Sequence, residues 1–549
     1  MKITIGQFKV KSKDVKHNFL EMKKLINLAK SENFEVIVFG QYSLSGYGCG
    51  DLFKSADFIN EVNHYQNKLK ELASDIVIIF GGLIKKESKL YSSAIIYNSN
   101  QALYSFKESL SKRELNEPRY FSRGANQVIE ILDKQVLVTF SEDLNNISAY
   151  TYDHLIILAS DPYNKTLKVS SNKLLVYANT IGISASYKAV FINGGSSYIK
   201  AGNKILALNN PLAEGLISKE NKLAKPSLLA AIVSGIKDFS DQTFGSGKKW
   251  IVGSSGGLDS AVTVALLAIA LGSEQVLTYN LASKYNKDLT KNNARLLSKK
   301  LNIKHYENSI EDLLAQNYKT LANFGYREIS GFNEENIQAR SRGHLLSAFS
   351  AIENAIICNN GNKLELVLGY ATLYGDTIGA LSPIGDLTKV EVFDLAKEIN
   401  EFCQAEVIPI NLLPQVDNYT LSWDMPPSAE LSKDQVDPMK WYYHDLLLDL
   451  ILTTSAEKIL ENYLDNQFEN LELGKWLDYY NLRKGEAFLK DFSWFYTTMQ
   501  INSFKRLQTP PVLAISNQVI GIDYIETPNV LSKSEYYLSL EKAILKKYP

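Results

Sequence analysis

The fold of this chain is decided by the stretch Gly253-Ser254-Ser255-Gly256-Gly257-Leu258-Asp259-Ser260. The short apolar run Trp250–Val252 precedes it and a long apolar run follows it, which predicts a buried strand, a tight turn and a helix. Two adjacent glycines let the backbone turn sharply and bring N–H groups close to an anion, which the start of a helix also favours. The hydroxyls of Ser255 and Ser260 add donors, and Asp259 suits a Mg²⁺ ion that bridges phosphate oxygens. The stretch therefore predicts a phosphate-binding loop.

Two better-known phosphate loops do not fit these residues. Gly245-Ser246-Gly247-Lys248 is followed by Lys249, where a Walker loop needs Ser or Thr. The glycine spacing also differs from the GxGxxG pattern of dinucleotide-binding proteins. A simple helix-capping turn is the remaining alternative, and the strand before the loop and the helix after it weigh against that interpretation.

The sequence around this loop alternates between strand and helix patterns. We expect a helix over 227–239, a second helix from about Ser260, a strand near 275–281 and a helix near 288–301. This alternation is typical of a doubly wound parallel sheet. Beyond about residue 438 the chain is helical and aromatic, which predicts a helical C-terminal extension.

The first 200 residues predict a separate α/β domain. Short runs rich in Val and Ile favour strands, and they lie at 2–8, 35–40, 76–84, 93–97, 136–140 and 154–159. Amphipathic stretches favour helices at about 14–32, 53–72 and 168–182. We therefore predict one domain over 1–205, a linker over 206–226 with two prolines and little periodicity, and a second domain over 227–549.

Composition narrows the class of protein. The chain has 549 residues, so two to four domains are expected, and its net charge of −1 argues against a general surface for nucleic acid. The three cysteines, Cys49, Cys358 and Cys403, are too sparse and widely spaced for a disulfide framework or a clustered metal site. The sequence shows no membrane-spanning run and no signal-peptide core at its start. We expect a soluble, cytoplasmic protein that binds neither nucleic acid nor membrane.

Five further motifs accompany the GSSGGLDS loop, in one order over about 260 residues. They are Glu335-Asn336-Ile337-Gln338-Ala339-Arg340, Gly361-Asn362-Lys363-Leu364-Glu365, Gly369-Tyr370-Ala371-Thr372-Leu373-Tyr374-Gly375-Asp376, Pro426-Pro427-Ser428-Ala429-Glu430-Leu431 with Gln435 and Asp437, and Lys505-Arg506-Leu507-Gln508. The loop resembles the signature of the PP-loop ATP pyrophosphatases. Together the motifs resemble the NAD synthetases of that superfamily, which adenylate deamido-NAD with ATP and displace AMP with ammonia.

The resemblance implies a set of site residues. The loop Gly253–Ser260, with Asn360 and Lys389, would bind ATP and its pyrophosphate. Asp259 and Glu365 would hold Mg²⁺, since carboxylates suit a hard cation. The positions implied to contact deamido-NAD are Asn336, Glu365, Tyr370, Ala371, Thr372, Leu373 and Lys505. Catalysis would rest mainly on alignment and on charge stabilisation at the α-phosphate.

Three departures from the family pattern put fine substrate preference in question. Asn360 stands where the family has Thr, and Leu364 stands where it has Ser. The late segment Ile520–Pro528 lacks the two arginines that the family carries there.

The N-terminal domain resembles the nitrilase-like glutaminase of the two-domain, glutamine-dependent NAD synthetases. Three stretches carry the resemblance: Val38–Tyr47, Glu117–Phe121 and Val138–Asp143. It implies a nitrilase-like α-β-β-α sandwich, joined to the doubly wound PP-loop domain and its helical extension. It also implies a homo-oligomer assembled through the nitrilase-like domain.

The glutaminase of that family uses a Glu base, a Lys that stabilises the oxyanion, and a Cys nucleophile. In this chain the aligned positions hold Gln41, Lys107 and Ser141. A neutral amide cannot accept the proton, and a hydroxyl without a base is a weaker nucleophile than a thiol. Cys49 lies beyond the Gln41 strand, away from the nucleophile position. We therefore expect a degenerate glutaminase and a synthetase that uses free ammonia.

Three alternatives stay open from the sequence. The chain could be a fully glutamine-dependent synthetase, an amide ligase acting on a related nucleotide such as nicotinate mononucleotide, or a non-catalytic scaffold. If the glutaminase is lost, a separate glutaminase is one candidate partner for the supply of ammonia.

Overall fold

The computed structural model describes residues 1–99, 101–165, 169, 172–208, 211–217, 227–433, 435–527 and 532–549. Two compact units make up the chain, residues 1–243 and residues 244–549.

The first unit is built mainly from strands. Its strands are β1 (Ile3–Gln7), β2 (Lys9–Val10), β3 (Val36–Val38), β4 (Val77–Lys86), β5 (Lys89–Asn98), β6 (Gln101–Phe106), β7 (Gln127–Ile131), β8 (Lys134–Phe140), β9 (His154–Ala159), β10 (Leu174–Asn179), β11 (Ile181–Ser186), β12 (Ala189–Gly194), β13 (Tyr198–Ala201), β14 (Lys204–Leu208) and β15 (Gly215–Ile217). Its helices are α1 (Val15–Ser31), α2 (Ala56–Glu71) and α3 (Leu228–Phe244), the last residue of which falls in the second unit.

Two sheets face each other in the first unit. One has the order β15-β1-β3-β4-β5-β6 and the other β14-β13-β10-β9-β8-β7. Buried Val and Ile side chains of both sheets form the core between them, including Val38, Ile79, Val138 and Ile156. Helices α1 and α2 cover the outer face of the first sheet. Residues of the 3₁₀ segment Ser141–Ala149 pack on the outer face of the second sheet. The layering is that of the predicted α-β-β-α sandwich.

The helix predicted over 168–182 is wrong where the structure describes that segment. Leu174–Asn179 is strand β10, which pairs in parallel with β9, and Ile181 begins strand β11. The run LLVYAN is buried almost throughout, so it lacks the polar face that an amphipathic helix presents to water. Residues 166–168, 170 and 171 lie outside the described residues.

The segment predicted as a linker contains structure of its own. Within 206–226, strand β15 pairs antiparallel with β1, opposite Ile5 to Gln7. The two compact units divide after Thr243, which places most of α3 with the first unit. Residues 209, 210 and 218–226 lie outside the described residues.

The second unit combines a parallel sheet with a helical region. Its strands are β16 (Trp250–Gly253), β17 (Val276–Ala282), β18 (Lys304–Ser309), β19 (Ile356–Ile357), β20 (Gln415–Asp417), β21 (Thr420–Ser422) and β22 (Val512–Ala514). Its helices are α4 (Leu258–Leu271), α5 (Asp288–Lys300), α6 (Glu311–Asn323), α7 (Phe332–Ile352), α8 (Lys363–Leu368), α9 (Lys389–Cys403), α10 (Tyr443–Thr453), α11 (Ala456–Leu464), α12 (Glu472–Tyr479), α13 (Gly485–Ile501), α14 (Ser503–Arg506) and α15 (Glu535–Lys547).

The sheet of the second unit has the order β18-β17-β16-β19, and every strand pair in it is parallel. This confirms the parallel sheet that the alternating pattern predicts. The helices beyond Tyr443 share an aromatic core with α8, which explains the aromatic C-terminal sequence as packing. The carboxyl ends of β16 and β17 lead into the loops that build the site described next.

No helix among the described residues is both long and apolar enough to pass through a bilayer.

Candidate active site

A cavity of about 310 Å³ opens at the carboxyl end of strand β16 in the second unit. The loop Gly253–Ser260 forms one wall of it, and the other walls come from segments around residues 279–290, 357–378 and 425–437. This is the place where open parallel sheets usually bind ligands, because several loops converge there.

The phosphate-loop geometry follows from its glycines. Gly256 has φ +87°, and a Cβ there would lie 1.9 Å from the carbonyl oxygen of Thr290, so only glycine fits. Within the loop, the Ser255 hydroxyl accepts from the Gly257 N–H at 3.2 Å and lies 3.1 Å from the Ser260 hydroxyl. The loop thus leads directly into the first turn of α4 at Leu258.

An ion pair lies beside this loop. Nζ of Lys389, at the start of α9, is 2.5 Å from Oδ2 of Asp259, while Oδ1 of Asp259 is buried without a hydrogen-bond partner. Burial alone would lower the pKa of Lys389, but the Asp259 and Glu365 carboxylates raise it above its ordinary value. Lys389 is therefore a fixed positive charge beside the loop Gly253–Ser260.

Carboxylates surround that lysine. Burial, together with the neighbouring Asp259 carboxylate, raises the pKa of Glu365 well above its usual range. Burial also raises the pKa of Asp437 to about 6, and one oxygen of that carboxylate is buried without a hydrogen-bond partner. Negative charge thus exceeds the positive charge of Lys389, and a cation would relieve the excess.

A divalent ion fits this group only with help from a ligand. Among the described residues, no three His, Cys, Asp or Glu side chains are grouped so that they could hold a metal by themselves. Mg²⁺ is commonly held by one or two carboxylates together with substrate phosphates. The orphaned oxygen of Asp259 and the Glu365 carboxylate supply a donor set of that kind.

Part of the cavity wall is apolar. Tyr279, which lines it, is stacked on Tyr306 and Phe349 with ring centroids 4.8 and 4.4 Å away. Leu281, Leu346 and Ile357 complete this wall. A cavity that combines an apolar wall with a phosphate loop suits a nucleotide, which has both a flat apolar base and charged phosphates.

The structure brings together most of the residues predicted to bind ATP. The cavity is lined by Gly253, Ser254, Ser255, Gly257, Leu258, Asp259, Ser260, Asn360 and Lys389. Gly256 does not line it and instead permits the turn. Of the residues predicted to contact deamido-NAD, Glu365, Tyr370 and Ala371 line the cavity, whereas Asn336, Thr372, Leu373 and Lys505 do not.

Those four outlying residues are bonded to the segment beside the cavity. Thr372 donates its hydroxyl to Oδ1 of Asn336 at 2.9 Å. Nζ of Lys505 donates to the carbonyl oxygens of Gly369 and Ala371, each at 2.8 Å. Arg340 donates to the carbonyl of Leu373 at 3.2 Å. They form a hydrogen-bonded group next to Tyr370 and are not part of the cavity lining.

Asn360 and Leu364, two of the departures from the family pattern, lie in different surroundings. The Asn360 amide donates to the carbonyl oxygen of Gly253 at 2.9 Å, and its own oxygen is buried without a partner at the cavity wall. Leu364 is fully buried and packs with Val367 and Leu368 in the helical core. Asn360 therefore lies at the cavity wall beside the phosphate loop, whereas Leu364 serves packing.

The late segment 520–527 is anchored in the second unit, and Pro528 lies outside the described residues. Arg506 donates to the carboxylate of Glu526 and to the carbonyl oxygen of Val367. The segment is therefore attached to α8 through a buried arginine of the Lys505–Gln508 motif.

Arg342 was missed by the sequence analysis. It lines the cavity, donates to the carbonyl of Leu281 at 2.8 Å and to Oδ1 of Asn286 at 3.3 Å, and burial lowers its pKa to about 10. Arg342 lies on α7 only two residues after the motif Glu335–Arg340, and this closeness is the one feature of the sequence that points to it. The sequence does not indicate Tyr279 either, because an aromatic residue within an apolar strand is typical of the hydrophobic core.

Glu430 joins the loop Pro426–Leu431 to the far wall of the cavity. Its carboxylate accepts from the hydroxyl of Thr290 at 2.8 Å and from the Asn286 amide at 3.3 Å. Thr290 is the residue whose backbone faces Gly256. The Glu430 side chain thus connects the loop Pro426–Leu431 to the phosphate loop Gly253–Ser260.

The three predicted triad positions of the first unit are all buried: Gln41 follows β3, Lys107 follows β6 and Ser141 follows β8. Nζ of Lys107 lies between two carboxylates, 2.9 Å from Glu117 and 2.9 Å from Glu142. Gln41 donates to the Ser92 hydroxyl at 3.4 Å.

The thiols offer no substitute for a nucleophile there. Cys49 is buried, donates to the carbonyl of Ser45 at 3.1 Å, and burial raises its pKa to about 12. Cys358 lines the cavity of the other unit, and burial raises its pKa as well. Cys403 ends α9 in that unit. A thiolate at neutral pH is disfavoured at both buried positions.

A parallel sheet with a GSSGGLDS loop, a fixed lysine and a group of carboxylates defines a nucleotide-binding domain of the PP-loop type. Residues 228–478 match the family model described as NAD synthase. The glutamine-dependent NAD(+) synthetase of Acinetobacter baylyi is 28% identical over 494 residues, which cover 83% of this chain and 88% of that protein.

Solved structures show the same fold along the whole chain. A glutamine-dependent NAD(+) synthetase from Cytophaga hutchinsonii aligns with a TM-score of 0.78 and 16% identity, covering 99% of each chain. One from Acinetobacter baumannii, in complex with ADP, aligns with a TM-score of 0.67 and 24% identity, covering 95% of this chain and 97% of that one. Residues 228–478 thus match the NAD synthase family, and along most of its length the chain is similar to two-domain, glutamine-dependent NAD(+) synthetases.

Proposed function

We propose that this chain forms NAD from deamido-NAD, ATP and free ammonia, and that it does not hydrolyse glutamine. A carboxylate oxygen of the nicotinate group attacks the α-phosphorus of ATP, and pyrophosphate leaves with the electron pair of the broken P–O bond. Ammonia then attacks the acyl carbon of the adenylate, AMP leaves with the C–O electron pair, and the nitrogen loses a proton to solvent.

The residues of the ATP cavity support roles in the first step. The N–H groups at the start of α4 and the hydroxyls of Ser255 and Ser260 would bind the departing pyrophosphate. Lys389 would stabilise negative charge that develops on it. These groups are held before substrate arrives, so little reorganisation is needed during the reaction.

Mg²⁺ would be held by Asp259 and Glu365, with phosphate oxygens completing its coordination. When bound, the ion would neutralise phosphate charge and polarise the P–O bonds. Asn336 and Lys505, with the segment Tyr370–Leu373, would contact deamido-NAD beside the cavity.

One observation carries the claim about nitrogen: Gln41 and Ser141 occupy the positions of the glutaminase base and nucleophile. A neutral amide at 41 cannot activate a hydroxyl at 141. Lys107 is retained, yet Glu117 and Glu142 already neutralise it. These contacts support a structural role for the lysine.

A glutamine-dependent enzyme is the second candidate, because relatives that align over most of this chain are named for that activity. Under the first candidate another enzyme must release the ammonia, so a separate glutaminase is the class of partner we propose. We further propose a homo-oligomer assembled through the first unit, which light scattering of the purified chain would test.

The deciding experiment compares nitrogen sources with the purified full chain, Mg-ATP and deamido-NAD. We expect ammonium chloride to support NAD formation and ammonium-free glutamine not to, with no glutamate released. Ser141→Ala should leave the ammonia-driven rate unchanged, as should the control Ser74→Ala at an exposed position. Glutamine-driven synthesis that Ser141→Ala abolishes would establish the second candidate instead.

A further inference from the structure

A buried carboxylate faces the nucleophile position of the first unit. The Ser141 hydroxyl donates to Oδ1 of Asp161 at 2.8 Å and lies 3.2 Å from Oε2 of Glu142. Ser141 follows β8 and Asp161 comes just after β9, and these two strands are parallel neighbours. Their carboxyl ends meet at one edge of the sheet, which brings the two side chains together.

Asp161 is held firmly in that position. Its side chain is almost fully buried, and Oδ2 accepts from the Tyr177 hydroxyl at 3.0 Å. Its backbone N–H donates to Oδ1 of Asn179 at 2.8 Å. Nζ of Lys165 lies 2.6 Å from the same oxygen that Ser141 contacts. The carboxylate therefore cannot turn away from residue 141 without losing several hydrogen bonds.

The charges that face residue 141 do not favour an anion there. Two carboxylates, Asp161 and Glu142, contact its hydroxyl directly. The nearby cations are both committed, Lys165 to Asp161 and Lys107 to Glu142 and Glu117. Burial opposes the charge on Lys107, yet the two glutamates raise its pKa above the ordinary value, so it stays a paired cation. Among the described contacts, a thiolate at this position would therefore lie beside two carboxylates that already pair with these lysines, and it would have no cation of its own.

We infer that Asp161 is a third residue, besides Gln41 and Ser141, that keeps the first unit from acting as an amidase. A carboxylate within hydrogen-bond distance of the nucleophile stabilises its protonated form and opposes the anion that attack requires. Reinstating the base and the thiol would then leave the site inactive unless residue 161 also lost its charge. The inference rests on the proposed loss of glutaminase activity.

The test measures the reactivity of a thiol placed at residue 141 in the full chain. The variant Gln41→Glu/Ser141→Cys is compared with the same variant carrying Asp161→Asn, which keeps the size of the side chain. Alkylation by iodoacetamide is followed by peptide mass spectrometry from pH 6 to 10. The partly exposed native Cys403 provides an internal reference, since its surroundings do not change.

We expect the thiol at 141 to be alkylated at least tenfold more slowly at pH 7.5 in the double variant than in the triple variant. The apparent pKa of the thiol at 141 should be at least one unit higher in the double variant than in the triple variant, because one unit corresponds to a tenfold lower fraction of thiolate. The matched control Asp153→Asn, an exposed aspartate that accepts only from the Gln135 backbone among the described contacts, should leave the double variant unchanged.

Equal alkylation profiles in the double and triple variants would overturn the inference. Ammonia-driven NAD synthesis and circular dichroism show whether each variant is folded, and Asp161→Ser serves as a second replacement if Asp161→Asn is not. The proposed function is tested separately by the unmodified chain with glutamine, so its failure and the failure of this inference give different results.

Discussion

Nζ of Lys389 lies 2.5 Å from Oδ2 of Asp259, and this contact joins the first turns of two helices, Leu258–Leu271 and Lys389–Cys403. The backbone N–H of Lys389 is fixed in turn by Oδ1 of Asp445 at 2.8 Å. The lysine is therefore positioned from both ends before any substrate binds.

Replacing that lysine should damage chemistry more than binding. Lys389→Met removes the only cation in direct contact with Asp259 among the described residues and leaves the carboxylates unneutralised. We expect kcat for ammonia-driven NAD synthesis to fall about 100-fold or more, as when other preorganised charges are removed from active sites. Pyrophosphate release gives the rate.

Lys397→Met is the matched control, because Lys397 lies on the same helix and pairs only with the exposed Asp394 among the described contacts. Its kcat should stay close to that of the unmodified chain. A Lys389→Met enzyme of ordinary kcat would remove the lysine from the reaction.

Loss of the Glu430 carboxylate should loosen the loop Pro426–Leu431. Glu430→Gln keeps the shape but weakens the bonds accepted from Thr290 and from the Lys287 N–H, because a neutral oxygen replaces a charged one. We expect KM for ATP to rise several-fold with a smaller change in kcat. Steady-state kinetics at saturating ammonia measure both.

Asp424→Asn, an exposed change just before the same loop, should leave KM for ATP as it is. If Glu430→Gln lowers kcat alone, Glu430 acts on the chemical step and its role as a connector between the two loops is wrong.

The Mg²⁺ concentration that ATP binding requires should depend on Glu365. Its carboxylate accepts from the Asn362 N–H at 3.2 Å and so also caps α8; Glu365→Gln keeps that acceptor but removes the charge. We expect the Mg²⁺ concentration for half-maximal ATP binding to rise about tenfold, since one of two carboxylate ligands becomes neutral. Equilibrium binding of ATP across a Mg²⁺ titration tests this.

EDTA should abolish NAD synthesis by the unmodified chain, and added Mg²⁺ should restore it. An unchanged Mg²⁺ titration for Glu365→Gln would mean that this glutamate serves only the helix cap.

The sequence predicts the phosphate loop well because its parts are neighbours in the chain. Strand, glycines and helix lie within about 20 residues, and the structure places them as expected. Asp161 and Arg342 act through partners 20 and 61 positions away, so no local pattern indicates them. Glu430 lies in a quoted motif, but its partner Thr290 is 140 positions away, so the motif does not indicate the contact. The helix predicted over 168–182, which contains strand Leu174–Asn179, is wrong for a related reason. Only its pairing with β9 shows that both of its faces are buried, and burial on both faces separates a central strand from a helix.

A buried histidine in the helical region should make stability depend on pH. The Lys440 N–H donates to Nδ1 of His444 at 2.8 Å, so Nε2 carries the proton toward Asp491 at 3.1 Å and the ring is neutral. Burial lowers the pKa of His444, so below about pH 6.5 the unfolded chain binds a proton that the folded chain does not, and stability falls as the pH drops. Asp491 has a lowered pKa in spite of its burial, because of His444 and Lys440, so its own contribution is lost only at lower pH. Between pH 7 and 5 we expect the melting temperature to fall less steeply for His444→Gln than for the unmodified chain or the exposed control His64→Gln. If the melting temperatures of all three proteins fell equally between pH 7 and 5, His444 would be charged in the folded state.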